Sequence, residues 1–262
     1  MEIIVCIKQV PGTSEVEVDP ETGVLKRSGI DSKMNPFDLY AIETALRIKQ
    51  RHGAHIKVLS MGPPQAKEVI EEAIWMGADD GLLLSDRRFA GADVLATAYT
   101  LSQGVMTQGL PDLIICGKQT TDGDTAQVGP EMAEFLNIAH VANVNRIVEV
   151  ASDGLAVDMD LPDSVLTVEV TFPCLITVEK GICEPRLPSF LRKMENKNKE
   201  VPVLGLADFE DTEETHYGLA GSPTQVRRIF PPDSNADQQI WQDAPDVLAH
   251  RLFDTLIGEK LI

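Results

Sequence analysis

Basic residues are scarce in this chain: 23 lysines and arginines face 41 aspartates and glutamates across 262 residues. The resulting net charge of −18 disfavours binding to nucleic acid or to an anionic membrane surface. Long apolar runs are missing as well. None approaches the roughly 18 residues that a membrane span needs. The amino terminus enters Glu2-Ile-Ile-Val-Cys-Ile7 without the layout of a signal peptide, so no membrane insertion and a cytoplasmic location are expected. The cysteines at 6, 116, 174 and 183 form no CxxC pair, and the five histidines are scattered. That spacing fits neither a zinc site nor an iron–sulfur cluster, so no metal is expected and the thiols read as buried and reduced. His52, His55, His140, His216 and His250 read as surface residues. A Walker loop, a GxGxxG fingerprint and a nucleophile elbow are all absent, so no catalytic side chain is expected.

What the chain does have is 43% hydrophobic residues, enough for a substantial core, arranged in a repeating pattern. Short apolar runs at Ile3–Ile7, Ile56–Met61, Leu82–Leu84 and Leu113–Cys116 alternate with amphipathic stretches at Pro36–Arg51, Ala66–Met76 and Asp93–Met106. Alternation of this kind predicts an α/β fold with a mostly parallel sheet flanked by helices. Gly77 is placed to stop the second helix. Ser152-Asp153-Gly154, between Arg146–Val150 and Leu155–Met159, predicts an added hairpin, with further strands at Ser164–Thr171 and Cys174–Val178. After Arg192 the chain becomes charged, then rich in proline, glycine and acid; residues 1–192 read as the binding domain and 193–262 as an extended arm ending in a helix over Pro245–Leu256. The terminal helix carries an apolar stripe, Val247, Leu248, Leu252, Phe253, Leu256 and Ile257, that needs a partner surface in this chain or in another subunit.

The segment Asp112–Pro130 is the most specific feature. Its apolar run ends in a loop of small, hydroxyl, amide and acidic residues, at the carboxyl end of a strand, where open α/β sheets bind ligands. Gly117 and Gly123 permit turns; Gln119, Thr120, Thr121, Thr125 and Gln127 offer uncharged hydrogen-bonding groups, beside Lys118 and small Ala126. Asp122 and Asp124 repel phosphate unless they point away or bind ribose hydroxyls. A helix is expected to follow this loop, with Asp124 or Thr125 as its cap and an amino end that favours an anion, its start left open by Pro130, which suits only a first helical turn. An ordinary strand-to-helix turn is the plainer reading of the same pattern. Three more loops fall at the same edge. They are Lys8–Pro11; Met61-Gly62-Pro63-Pro64; and Phe89–Val94, where Gly91, Asp93 and, one turn on, Thr97 are candidate contacts. Met34–Asp38 places Asn35 as a helix N-cap, Pro36 at the first helical position, Phe37 next and Asp38 in the first turn; capping and contact with a nucleotide ring both fit.

At these residues the sequence resembles the beta subunit of electron transfer flavoprotein. The matching pieces are Cys-Ile-Lys-Gln-Val-Pro (6–11), Met-Asn-Pro-Phe-Asp (34–38), Met-Gly-Pro (61–63), Met-Gly-Ala-Asp (76–79), the stretch from Gly117 to Pro130 and Glu-Pro-Arg-Leu-Pro-Ser (184–189), in family order across most of the chain. The resemblance implies a Rossmann-like domain of the adenine nucleotide alpha hydrolase-like kind, paired with an alpha subunit that carries FAD. It implies that Cys6, Asn35 to Asp38, Met61 and Gly117 to Val128 hold AMP in conventional members, or the adenylate half of a second FAD in electron-bifurcating ones. Phe89-Ala-Gly-Ala-Asp93 and Gly221-Ser-Pro-Thr-Gln-Val226 look like the bifurcating and related nitrogen-fixation group, which favours FAD over AMP. In that group NADH is the donor, ferredoxin or flavodoxin takes one electron, and the alpha-subunit flavin passes the other to an acyl-CoA dehydrogenase-like partner. Leu187 matches the recognition-loop leucine that anchors the dehydrogenase.

Two other classes share the pattern. An adenine-nucleotide-hydrolysing or ligating enzyme needs a glycine-rich phosphate loop with basic support, for which Lys118 alone is thin. A universal-stress-type nucleotide-binding module would leave the long arm and the terminal helix without a purpose.

Overall fold

The computed structural model describes residues 1–12, 32–226 and 239–262. The chain separates into two units, Met1–Arg227 and Arg228–Ile262. In the first, β1 (Glu2–Cys6) is followed by a small antiparallel ribbon of β2 (Gln9–Pro11) and β3 (Ser32–Met34). Then come α1 (Pro36–His52), β4 (His55–Met61), α2 (Lys67–Met76), β5 (Asp80–Leu84), α3 (Val94–Met106), β6 (Leu113–Gly117) and α4 (Val128–Phe135). The remainder comprises β7 (Ala139–Val150), β8 (Gly154–Leu161), β9 (Ser164–Thr171), β10 (Cys174–Val178), α5 (Phe190–Glu195) and β11 (Val203–Leu204). In the second unit the described structure is one helix, α6 (Pro245–Gly258).

The apolar runs form strands because they are covered on both sides. β1 sends Ile3 and Val5 into one core, with Ala41, Ile42 and Ala45 of α1 and Val69 and Ile70 of α2. Its alternate residues, Ile4 and Cys6, enter a second core with Ala98 and Leu101 of α3 and Met132 and Ala133 of α4. A strand between two helical layers meets no water, which is why these runs carry no polar alternation.

The main sheet has the order β11-β5-β4-β1-β6-β10-β7-β8-β9, parallel from β11 to β7 and antiparallel at the two final pairings. From β1 the chain winds outward through β4 and β5. Helix α3 then returns it past β1 to β6 on the other side. The winding direction reverses there, and the crevice beyond the carboxyl ends of β1 and β6 is the switch point where such sheets receive ligands.

Two expectations change. The hairpin strand β7 begins at Ala139, seven positions before Arg146, because its first half pairs with β10 and shows no clean alternation to read. The segment after Arg192 is not detached from the core: β11 pairs in parallel with β5, Leu206, Phe209 and Tyr217 are buried in the second core, and the compact unit extends to Arg227. Its prolines, glycines and acids describe an irregular backbone, and irregular backbone still buries apolar side chains when it docks on a finished layer. Residues 227–238 of the expected arm lie outside the described residues.

Candidate functional site

The edge is built by two buried polar side chains that tie three elements together. Asn35, fully buried, occupies the N-cap position of α1 yet makes no side-chain cap bond, so its expected capping role is corrected. Its amide instead donates to Asp38 Oδ1 and to the Gln119 carbonyl, each at 2.9 Å, and its oxygen accepts from the Thr121 amide at 3.2 Å. Asp38 in turn accepts the Lys8 amide on Oδ2 at 2.7 Å. Burial pushes its carboxyl up from 3.8 to about 7, against the opposing donors from Asn35, Lys8 and Gly117. Thus the end of β1, the start of α1 and the loop after β6 are held as one body.

Gly117 is required for this approach. A Cβ there would stand 2.5 Å from Asp38 Oδ1 and 2.8 Å from the Phe37 carbonyl carbon. Cys6 and Cys116 are paired in register behind the latch. The Cys116 thiol is pushed well above its usual value, first by Cys6 and then by burial, so it serves as packing and not as a nucleophile.

Beyond Gly117 the loop spends its own charges internally. Lys118 pairs with Glu179 at 2.5 Å, Lys8 reaches across to Asp122 at 2.8 Å, and the Gln119 amide donates to Asp124. Burial pushes the Asp122 carboxyl up, but the contacts with Lys8 outweigh it and hold the group below its usual range. Asp124 and Ala126 sit in the left-handed region at φ 54° and 56°, which steers the chain into α4. Neither Asp124 nor Thr125 caps the helix, a second correction: Gln127 holds the cap position and makes no side-chain bond. The first two amides of α4, on Val128 and Gly129, meet no acceptor among the described residues. Thr120, Thr121, Gly123 and Thr125 lie around this open end, with Thr121, Gly123 and Thr125 exposed.

The second loop is tied to β5 by the Gly62 amide, which donates to the Leu84 carbonyl at 3.0 Å, and Met61 packs on the second core. At the third loop α3 carries a side-chain cap. Asp93 caps it, accepting the Ala96 amide at 3.1 Å on one oxygen and the Thr224 amide and hydroxyl at 2.9 and 2.7 Å on the other. Ser222 accepts the Asp93 amide at 2.8 Å, and Leu219 donates to the Ala90 carbonyl beside left-handed Gly91. Thr97 follows in the first turn, its amide bonded to the Asp93 carbonyl. The Phe89–Asp93 and Gly221–Val226 stretches, 129 residues apart at Asp93 and Ser222, are therefore one structure.

Sequence reading missed what anchors this strap. Tyr217, fully buried, donates to the Asp211 carbonyl, and Tyr99 and His216 both bond the Asp211 carboxylate. Tyr99 foremost holds that carboxyl down at about 2, while burial pushes Tyr99 up to about 12. Phe89, Phe209 and Tyr217 stack at 5.5 to 5.9 Å between centroids. A lone tyrosine after an acidic run gives no periodic signal.

Leu187 is not at this edge. It is 86% exposed on a short segment fixed by Arg186, which forks onto Glu43 of α1 at 2.7 and 3.0 Å, and by the Ser189 amide on the Trp75 carbonyl of α2.

The family model described as "Electron transfer flavoprotein domain" matches residues 22–209. An electron transfer flavoprotein subunit beta from Megasphaera elsdenii is 40% identical over 272 aligned positions that span 100% of both chains. The subunit beta of Clostridium acetobutylicum is 46% identical over 87% of each chain. The caffeyl-CoA reductase-Etf complex subunit CarD of Acetobacterium woodii is 42% identical over the whole of both. With a family match over most of its length and full-length relatives of this identity, the chain belongs to the electron transfer flavoprotein family, as a beta subunit.

Proposed function

We propose that this chain binds FAD at the open edge and serves in carrying electrons from NADH to ferredoxin or flavodoxin and to the FAD of an alpha subunit. That alpha subunit feeds an acyl-CoA dehydrogenase-like partner. The observation that carries the reading is the uncapped amino end of α4, set among four converging loops at the switch point. Two free amides and a helix dipole suit a phosphate, and the uncharged donors around them suit a nucleotide whose charge is already met. When bound, the flavin supplies hydride acceptance and one-electron donation. The chain's own residues position it. Asn35, Pro36, Phe37 and Asp38 fix the wall beside β1, with Cys6 and Lys8 at its base. Met61 and Gly62 form the second wall, and Gly117 to Val128 hold the adenylate end. Gly91, Asp93 and Thr97 form the third wall, which Ser222 and Thr224 hold in place. The two stretches that form and hold this third wall, Phe89–Asp93 and Gly221–Val226, are those that resemble the bifurcating group, which supports FAD over AMP. Leu187 serves the dehydrogenase contact, and the apolar stripe of α6 serves the alpha subunit.

The relatives include CarD and several proteins named FixA, one of them from Azorhizobium caulinodans at 39% identity. This fits the same reading. The test is the cofactor content of the chain purified with its alpha subunit. Two flavins per heterodimer are expected; one flavin with AMP supports the conventional role, and the absence of any flavin overturns both.

A further inference from the structure

A cleft of about 190 Å³ opens between the second half of α1 and the second half of β7. Because α1 begins at the nucleotide edge and runs away from it, the cleft is separate from the site above. Ile48 and Ile147 give it an apolar floor, while Arg47, Arg51, His52 and Arg146 stand at its rim. Among the described residues no carboxylate lines it, in a chain where acids outnumber bases 41 to 23.

The arginines are under-compensated. Arg47 pairs with Glu43 at 3.1 Å, but Glu43 also receives Arg186 at 2.7 Å, and Arg146 pairs with Asp158 at 2.5 Å. Arg51 has no ion pair among the described residues, so of the three arginines that line the cleft Arg146 has a carboxylate to itself, Arg47 shares one with Arg186 and Arg51 has none. Cys183 lines the wall, its thiol in contact with the Thr44 hydroxyl at 3.6 Å. Burial pushes that thiol up, so it stays neutral and adds no opposing charge.

Positive charge over an apolar floor selects an amphipathic anion. Guanidinium groups match a carboxylate in shape as well as charge. At about 30 Å³ per water-sized group the volume accepts roughly six such groups, which suits a carboxyl head and a short tail. We infer that this cleft binds a small aliphatic carboxylate, with its head between Arg51 and Arg146 and its tail on Ile48 and Ile147. The ligand differs from the nucleotide in class and in place, so the inference stands apart from the flavin reading.

The test uses the full chain purified with its alpha subunit, titrated with pentanoate by calorimetry and by isoleucine methyl NMR. Saturable 1:1 binding is expected, with shifts at Ile48 and Ile147. Arg51→Glu, at an exposed residue without an ion pair, keeps the fold and should weaken binding by about tenfold or more. Absence of saturable binding overturns the inference, as does binding that Arg51→Glu leaves unchanged. Inorganic phosphate binding where pentanoate does not would overturn the carboxylate assignment.

Discussion

Helices α3 and α4 lie against the same face of the sheet and start at the same edge, yet their first turns are treated in opposite ways. At α3, the Asp93 carboxylate caps the Ala96 amide and holds the strap, while the Val94 and Leu95 amides, like those of Val128 and Gly129 in α4, meet no acceptor among the described residues. At α4 the cap position belongs to Gln127, which bonds nothing, and the chain arrives through two left-handed residues. A helix end capped by its own carboxylate gains rigidity and repels an anion; one without a side-chain cap gives a docking place for an anion. The same edge uses both.

Each side of that contrast can be broken separately. Tyr217→Ala empties a fully buried aromatic position under the strap and should cost about 4 kcal/mol in urea unfolding. Nucleotide affinity per folded molecule should change by less than about twofold, a shift that a noise-level binding difference of about 0.4 kcal/mol represents. A larger loss would mean the two ends are not independent.

Asp38 braces the open side, and its titration gives the next effect. Its folded value lies above its unfolded one, so its protonated form stabilises the fold below about pH 4, and that contribution is lost as the pH rises through about 7. The loss between pH 5 and 8 should be about 3 kcal/mol. The Tm of the parent chain should fall over that interval, and Asp38→Asn should flatten the fall. Gln127→Asp places a carboxylate at the open end of α4 and should weaken AMP or FAD binding about tenfold, near 1.4 kcal/mol, by fluorescence titration. Unchanged affinity would remove the phosphate from that helix. Asp93→Ala, on the capped side, should lower stability by about 1 kcal/mol and affect nucleotide binding less than Gln127→Asp does.

The contrast also marks what the sequence made legible. Buried parallel strands read cleanly because burial on both faces leaves an uninterrupted apolar run, and Ser164–Thr171 and Cys174–Val178 match β9 and β10 residue for residue. The four loops at one edge were legible for the same reason, since strand ends fix where loops begin. Side-chain targets were not. Asn35 looked like a cap because caps and long-range ties use the same residue type, and only the fold brings Gln119 and Thr121 within its reach. Asp124 looked like a cap until its left-handed backbone placed it before the turn into the helix. The strap was illegible because β11 is two residues long and its pairing partner lies 120 positions earlier.

That separation bears on how the protein is made. During synthesis β5 emerges long before Val203 and Leu204, and until they arrive the Leu83 and Ser85 amides, which later bond the carbonyls of Pro202 and Leu204, have no partner on that side. A bare strand edge is a template for pairing with other chains. The nascent polypeptide therefore carries an adhesive margin while roughly 120 further residues leave the ribosome, about 6 to 24 seconds at ordinary synthesis rates. Completion of a two-residue strand ends that exposure.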